Sequence, residues 1–149
     1  EMDEKTPPRR AAITALATGL AAGALASGVR AADAPRRDRV VMQVSQADNA
    51  RWELALNNAE NLQEALGANN VDIEIVAYGP GIKMLELQST SGNRIADAIK
   101  RGVKFSACEV TMRKAKLTKA DMLDNIGYVP GGVVELMRRQ QEGWAYIKP

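Results

Sequence analysis

Short apolar runs alternate with helical patterns along most of the chain, and this alternation constrains the fold more than any other feature. The segments "RVVMQVS" (39–45), "VDIEIVAY" (71–78) and "VKFSAC" (103–108) are typical of buried strands. A short strand near 126–129 and a last strand at 144–149 bring the number to about five. Strands that alternate with helices across short loops favour an α/β fold, with an open parallel sheet and helices on both faces.

The helices between these strands carry recognisable end signals. Asp48 is predicted to cap a helix that runs to about Leu66 and ends at Gly67. The apolar face of this helix is predicted to hold Trp52, Leu56, Ala59, Leu62 and Leu66. Thr118 and Asp121 have the spacing of a capping box.

Residues 1–37 differ in composition from the α/β domain predicted for 38–149. The segment "TPPRR" precedes a stretch without charge at 11–29, and "RAADAPRR" follows it. This order predicts an export signal, and Arg9–Arg10 resembles a twin-arginine signal. We therefore expect an exported, periplasmic protein; the alternative is an uncleaved membrane anchor with a linker, facing the periplasm. The candidate cleavage points follow Ala26, Ala31 and Ala34.

Composition excludes several classes of function. The chain has 149 residues, one cysteine and no histidine, so catalysis by a Cys–His or Ser–His pair and a transition-metal site have almost no residues to use. We expect neither a metal nor an organic cofactor. With 20 basic and 18 acidic residues, and only 4% aromatic residues, nucleic-acid binding is not expected.

The single cysteine, Cys108, ends a predicted strand. In an open parallel sheet, ligands bind beyond the carboxyl ends of the strands. Four segments of this chain should converge there: the residues from 45 onward, 78–81, 108–111 and 129–132. A helical turn after Cys108 would present N–H groups to the sulfur and favour the nucleophilic thiolate. The alternative is a buried cysteine that acts only as a small apolar side chain.

Glycine-rich turns surround this predicted edge. "YGPG" (78–81) allows a ligand to approach the backbone, and "VPGG" (129–132) places two glycines at a helix start that could hold an anion. Each turn also has an ordinary explanation, as the end of a strand or the start of a helix. Beside Cys108 as the catalytic residue, the predicted ligand-binding residues are Tyr78, Gly79, Gly81, Thr111, Gly131 and Gly132.

The order of these features resembles the DsrE/DsrF-like family, which has the YchN-like fold, and in particular its small exported members. The resemblance covers most of residues 39–149 and rests on "VVMQVSQAD", "ALNNAENLQEALG", "IVAYGPGIKML", "VKFSACEVTM" and "MLDNIGYVPGGVVELMRRQQEGWAYIKP". It implies a flavodoxin-like, five-stranded sheet assembled into homotrimers or hexamers. It also implies a persulfide on a strand-end cysteine, at the place of Cys108, and sulfur exchange with partner proteins.

Two features depart from the family's pattern. Relatives often have histidine where this chain has Tyr78, which weakens any acid–base role at the site. The predicted export signal separates the chain from the cytoplasmic sulfur relays, so their partners are not carried over. The leading hypothesis is an exported persulfide carrier or sulfurtransferase-like protein. The alternatives are a non-catalytic oligomeric binding module and a membrane-anchored accessory subunit of a larger complex.

Overall fold

The computed structural model describes residues 37–149, which contain one five-stranded sheet. All neighbouring strands are parallel, as predicted. The strands are β1 (Asp38–Val44), β2 (Val71–Ala77), β3 (Lys104–Cys108), β4 (Gly127–Val129) and β5 (Ala145–Ile147). Both ends of each strand lie within about two residues of the predicted positions, which is the usual uncertainty of element boundaries.

The strands lie in the order β4-β3-β2-β1-β5. The first four strands are added one after another in the same direction. The connection after β4 instead crosses the whole sheet and places β5 beside β1 at the opposite edge. The α/β fold class inferred from the sequence is therefore confirmed, while the position of β5 is information that the sequence pattern did not contain.

Four α-helices and two 3-10 helices connect the strands. The α-helices are α1 (Asn49–Leu66), α2 (Gly92–Lys100), α3 (Glu109–Lys114) and α4 (Gly132–Gln141). The 3-10 helices span Gly79–Leu85 and Lys119–Asp121. The predicted caps are confirmed: the Asp48 carboxylate accepts a hydrogen bond from the Ala50 N–H, and the Asp121 carboxylate accepts from both the N–H and the hydroxyl of Thr118.

The larger apolar core lies between the sheet and the helices α1, α2 and α3. Alternate strand residues, such as Ile73, Ile75 and Ala77 of β2, point into this layer. On α1, the predicted residues Trp52, Leu56 and Ala59 are buried and Leu62 packs against them. Only Leu66, at the last turn, is exposed, because the helix end extends past the sheet.

The other face of the sheet is covered by α4. Its core is small and consists of Val41, Val76, Val129 and Leu136, with Tyr78 and Trp144 partly buried beside them. Within residues 37–149, no helix is both long enough and apolar enough to cross a membrane. The predicted export signal and its cleavage points lie outside the described residues.

Candidate functional site

The carboxyl ends of β3 and β4 form the point where the sheet's connections diverge. The chain leaving β3 enters α3, whose Met112 packs in the larger core. The chain leaving β4 enters α4, whose Leu136 packs on the opposite face. Adjacent strands whose connections go to opposite faces leave a crevice between them, and open α/β sheets bind ligands there. Cys108 is the last residue of β3, so its thiol lies in this crevice.

Hydrogen-bond donors surround the sulfur of Cys108, which is only 4% exposed. The N–H of Gly132, the first residue of α4, donates to Sγ at 3.2 Å. Burial alone would raise the pKa of Cys108, but the hydroxyl of Thr111 and the N–H groups of Thr111, Gly132 and Val110 lower it below its ordinary value. The thiolate, the form that acts as a nucleophile, is therefore formed more readily than in an ordinary cysteine.

The orientation of the Thr111 hydroxyl follows from a second hydrogen bond. The Gly79 N–H donates to Thr111 Oγ1 at 2.9 Å. A hydroxyl has a single proton, and here its oxygen already accepts a bond, so that proton remains available to the sulfur. Gly79 and Thr111, two predicted ligand-binding residues, therefore act together on the thiol.

Tyr78 and Gly132 are in contact beside the thiol. A Cβ atom at Gly132 would lie 2.8 Å from Tyr78 Cβ, so the N-terminus of α4 reaches this position only because residue 132 is glycine. Burial raises the pKa of Tyr78, and the charges of Tyr146 and Cys108 raise it further, whereas a hydrogen bond with Ser45 lowers it. Tyr78 therefore stays protonated at neutral pH and cannot act as a base.

The remaining two glycines have different positions. Gly81 is buried, and a Cβ there would lie 2.3 Å from the Val44 carbonyl oxygen, so this glycine allows the turn after β2 to pack against β1. Gly131 caps α4 and lines a pocket of about 220 Å³ whose walls also include Val110, Pro130 and Val134. Since Val110 is also a donor to the sulfur, this pocket adjoins the thiol.

Nearby cations do not explain the lowered pKa of Cys108. Lys104 is the first residue of β3, at the other end of the strand from Cys108, and its Nζ lies 3.5 Å from the Glu74 carboxylate. The exposed cations of 113–119 are absent from the causes of the shift, which are burial and hydrogen bonds. The lowered pKa follows instead from hydrogen-bond donors at the starts of α3 and α4.

Sequence reasoning missed a buried ion pair beneath α4. Glu74, in the middle of β2, is fully buried; it accepts hydrogen bonds from Ser106 Oγ at 2.5 Å and from Arg139 Nε at 2.6 Å. Arg139 also pairs with Glu135 at 2.9 Å and lies 4.6 Å from the Trp144 ring centroid. The only signal in the sequence was a glutamate inside an apolar strand, which requires a buried partner.

A profile of the DsrE/DsrF-like family matches residues 39–149. The chain belongs to this family. No protein with a curated description matches the chain. In the described part of this DsrE/DsrF-like chain, no group of three or more His, Cys, Asp or Glu residues could hold a metal ion.

Solved structures share the fold of this chain. The protein of unknown function MTH1491 from Methanobacterium thermoautotrophicum is 37% identical, with a TM-score of 0.72; the match covers 75% of this chain and 99% of that one. The ychN protein from E. coli is 12% identical, with a TM-score of 0.58 and coverage of 76% and 99%. A protein of unknown function from Bacteroides thetaiotaomicron, BT1422, is 13% identical, with a TM-score of 0.57 and coverage of 75% and 95%. The latter two show the shared fold alone.

Proposed function

We propose that this DsrE/DsrF-like protein carries sulfur as a persulfide on Cys108. The observation that carries the proposal is the hydrogen bond from the Gly132 N–H to Cys108 Sγ at 3.2 Å, at a thiol whose pKa is also lowered by Thr111 and by the Val110 N–H. Donors placed around a sulfur stabilise the attacking thiolate and, after reaction, the negative charge of the persulfide. The arrangement needs neither a base nor a metal.

The proposed step is a transfer of one sulfur atom. The Cys108 thiolate attacks the terminal sulfur of a polysulfide, forming a new S–S bond. The bond between that terminal sulfur and the rest of the chain breaks, and the shortened polysulfide leaves with the electron pair. The product is a Cys108 persulfide anion, so no external oxidant or reductant is required. Return of the sulfur to an acceptor thiolate is the same step in reverse.

Intact-protein mass spectrometry after mild polysulfide treatment tests this proposal. We expect one additional sulfur atom on the wild-type protein, removed by reductant and absent from Cys108→Ser. Failure to form this adduct on folded protein would refute the carrier function. A sulfur transfer that survives Cys108→Ala would refute it as well.

The second candidate, a non-catalytic binding module, is favoured by the burial of Cys108, which is 4% exposed. Thiol labelling distinguishes the two functions. A thiol that reacts in the native state supports the carrier. A thiol that reacts only after denaturation supports the binding module.

We also propose that the chain forms a homo-oligomer, a trimer or hexamer, through the uncovered part of α4 and β5. Val133, Met137 and Tyr146 are 61%, 50% and 40% exposed and lie around one shallow groove. Light scattering should give a multiple of the protomer mass, and Met137→Glu should lower it because a charge would enter the apolar contact. A wild-type protein that stays monomeric would refute this assembly.

Export to the periplasm remains a proposal supported by the sequence of residues 1–37. The mass of the protein isolated from its host tests it. A start near Ala32 or Pro35 in the soluble fraction supports a cleaved signal. An intact N-terminus in the membrane fraction would support the alternative, an anchored accessory subunit.

A further inference from the structure

A cluster of positive charge follows the thiol along the chain, beyond Glu109, the acidic neighbour of Cys108. Between Val110 and Ala120 there are four basic residues and no acidic one; all four are exposed. None of them forms an ion pair within residues 37–149. The acidic residue that follows, Asp121, is already hydrogen-bonded to Thr118. The four are Arg113, Lys114, Lys116 and Lys119.

Lys116 has a backbone conformation that favours glycine. Lys116 has φ +57°, the left-handed conformation that ends α3, and the N–H of Leu117 donates back to the Met112 carbonyl at 2.8 Å. Glycine is the usual residue at this position because a Cβ atom makes the conformation unfavourable. A lysine here keeps a positive charge at the expense of backbone strain, and such strain is a signal of function.

Two of these positive charges, Arg113 and Lys114, border an apolar centre. Val110 and Val134 are 37% and 46% exposed and line the 220 Å³ pocket together with Arg138 and with Glu135, whose carboxylate is paired with Arg139. Arg113 and Lys114 are three and four residues after Val110, so they lie on the same side of α3. An apolar centre with a charged rim is the anatomy of a protein–protein interface. Val110 lines the pocket and its N–H also lowers the pKa of Cys108, so this surface borders the thiol.

We propose that this basic surface (Val110, Arg113, Lys114, Lys116, Lys119, Pro130, Val134 and Arg138) docks an acidic segment of a second protein that exchanges sulfur with Cys108. The sulfur exchange rests on the proposed function; the docking does not. Carboxylates would pair with the rim, and an apolar side chain would enter the pocket. The surface offers no free aromatic ring on which a nucleic-acid base could stack, since Lys119 covers the ring of Tyr128 at 4.6 Å. Two valines and a proline are too little apolar area to insert into a membrane.

Fluorescence anisotropy on the full chain carrying Cys108→Ser tests the docking without any sulfur chemistry. The probes are two labelled synthetic peptides, each with a central leucine, flanked by glutamates in one and by lysines in the other. We expect the acidic peptide to bind at least about tenfold more tightly at low ionic strength, and this difference to shrink as salt is added. Equal affinities for the two peptides would overturn the proposal.

Charge-reversal variants locate the docking surface. Lys114→Glu/Lys116→Glu should abolish the preference for the acidic peptide. The matched control, Lys100→Glu/Lys148→Glu, makes the same change in net charge on α2 and beyond β5, and should keep most of the binding. An equal loss of affinity for the acidic peptide in both variants would show an effect of net charge alone and would overturn the proposed docking surface. Tighter binding to duplex DNA or to anionic vesicles than to the acidic peptide would also overturn it.

Lys116→Gly keeps the test valid if a charge reversal fails to fold. This variant removes the left-handed strain, so its melting temperature should rise while its affinity for the acidic peptide falls severalfold. Lys116→Arg should retain the affinity of the parent protein. A Lys116→Gly variant that binds as well as the parent would contradict the inference. Because all of these measurements use Cys108→Ser, a failure of persulfide formation leaves their interpretation unchanged.

Discussion

The substitution Thr111→Val tests the reasoning about the thiol most directly. Valine has nearly the shape of threonine but lacks the hydroxyl that donates to Cys108 Sγ and accepts from the Gly79 N–H. A hydrogen bond to a charged group stabilises it by about 1.5–3 kcal/mol, and 1.36 kcal/mol corresponds to a factor of about ten in an acid dissociation constant. The thiolate fraction at neutral pH should therefore fall at least about tenfold.

The assay is the rate of alkylation of the folded protein by iodoacetamide as a function of pH, followed by intact mass. At neutral pH the rate of Thr111→Val should fall about tenfold. On the alkaline plateau it should equal or exceed the wild-type rate, because a more basic thiolate is intrinsically the better nucleophile. Thr111→Ser keeps the hydroxyl and should follow the wild type. Thr118→Val should do so too, because the Thr118 hydroxyl donates to Asp121 and does not contribute to the pKa of Cys108. A Thr111→Val profile that superimposes on the wild type, or a serine variant that behaves like valine, would refute the role of the hydroxyl.

Three further predictions concern stability. The pKa of Cys108 is lowered in the folded state, so its ionisation should stabilise the protein relative to Cys108→Ser as pH rises from the folded pKa to the ordinary value of 9.0. Below the folded pKa it should add nothing. Urea titrations at stepped pH would contradict this if the difference in free energy of unfolding between the two proteins stayed constant. Arg139→Met should destabilise the protein by about 3 kcal/mol in urea, because Glu74 loses its main buried partner, whereas adding Glu74→Leu should restore most of the loss; a double variant no better than Arg139→Met would argue against this cause. Gly81→Ala places a Cβ 2.3 Å from a carbonyl oxygen of β1 and should lower the free energy of unfolding by more than about 2 kcal/mol. Gly92→Ala, whose Cβ has its nearest contact at 3.4 Å, should change the free energy of unfolding by no more than about 0.5 kcal/mol. Equal melting temperatures for the two variants would contradict the steric argument.

Local signals in the sequence predicted most of the secondary structure and part of the site. Asp48 and Thr118 begin helices because their caps involve atoms only two or three residues away. Cys108 was placed at the carboxyl edge because apolar periodicity marks where a strand ends. The sequence predicted that the segments of Gly79 and Thr111 lie at the same edge of the sheet, because the fold class determines which strand ends meet there. It did not predict the hydrogen bond between them, because the fold class does not determine which atoms bond.

The remaining features depend on pairings across long stretches of chain. The bond from Gly132 N–H to Cys108 Sγ joins residues 24 apart, and its length is set by how closely α4 approaches the ring of Tyr78. The pairing of Glu74 with Arg139 joins residues 65 apart. No local pattern specifies such distances, because they result from the packing of whole elements. The position of β5 beside β1 is of the same kind.

The crossing of the sheet by the connection after β4 has a consequence for the order of events during synthesis. Strands β1 to β4 can pair as they emerge, each beside its predecessor, but β5 must return to β1 from the far edge. Helix α4 is held to the sheet partly through Arg139, which stacks on Trp144 directly before β5. We expect the last strand to dock late, because its contacts with β1 close the longest loop in the sheet. Until α4 docks, Cys108 would lack the hydrogen bond from the Gly132 N–H, so a nascent chain would carry the thiol without one of the donors that lower its pKa.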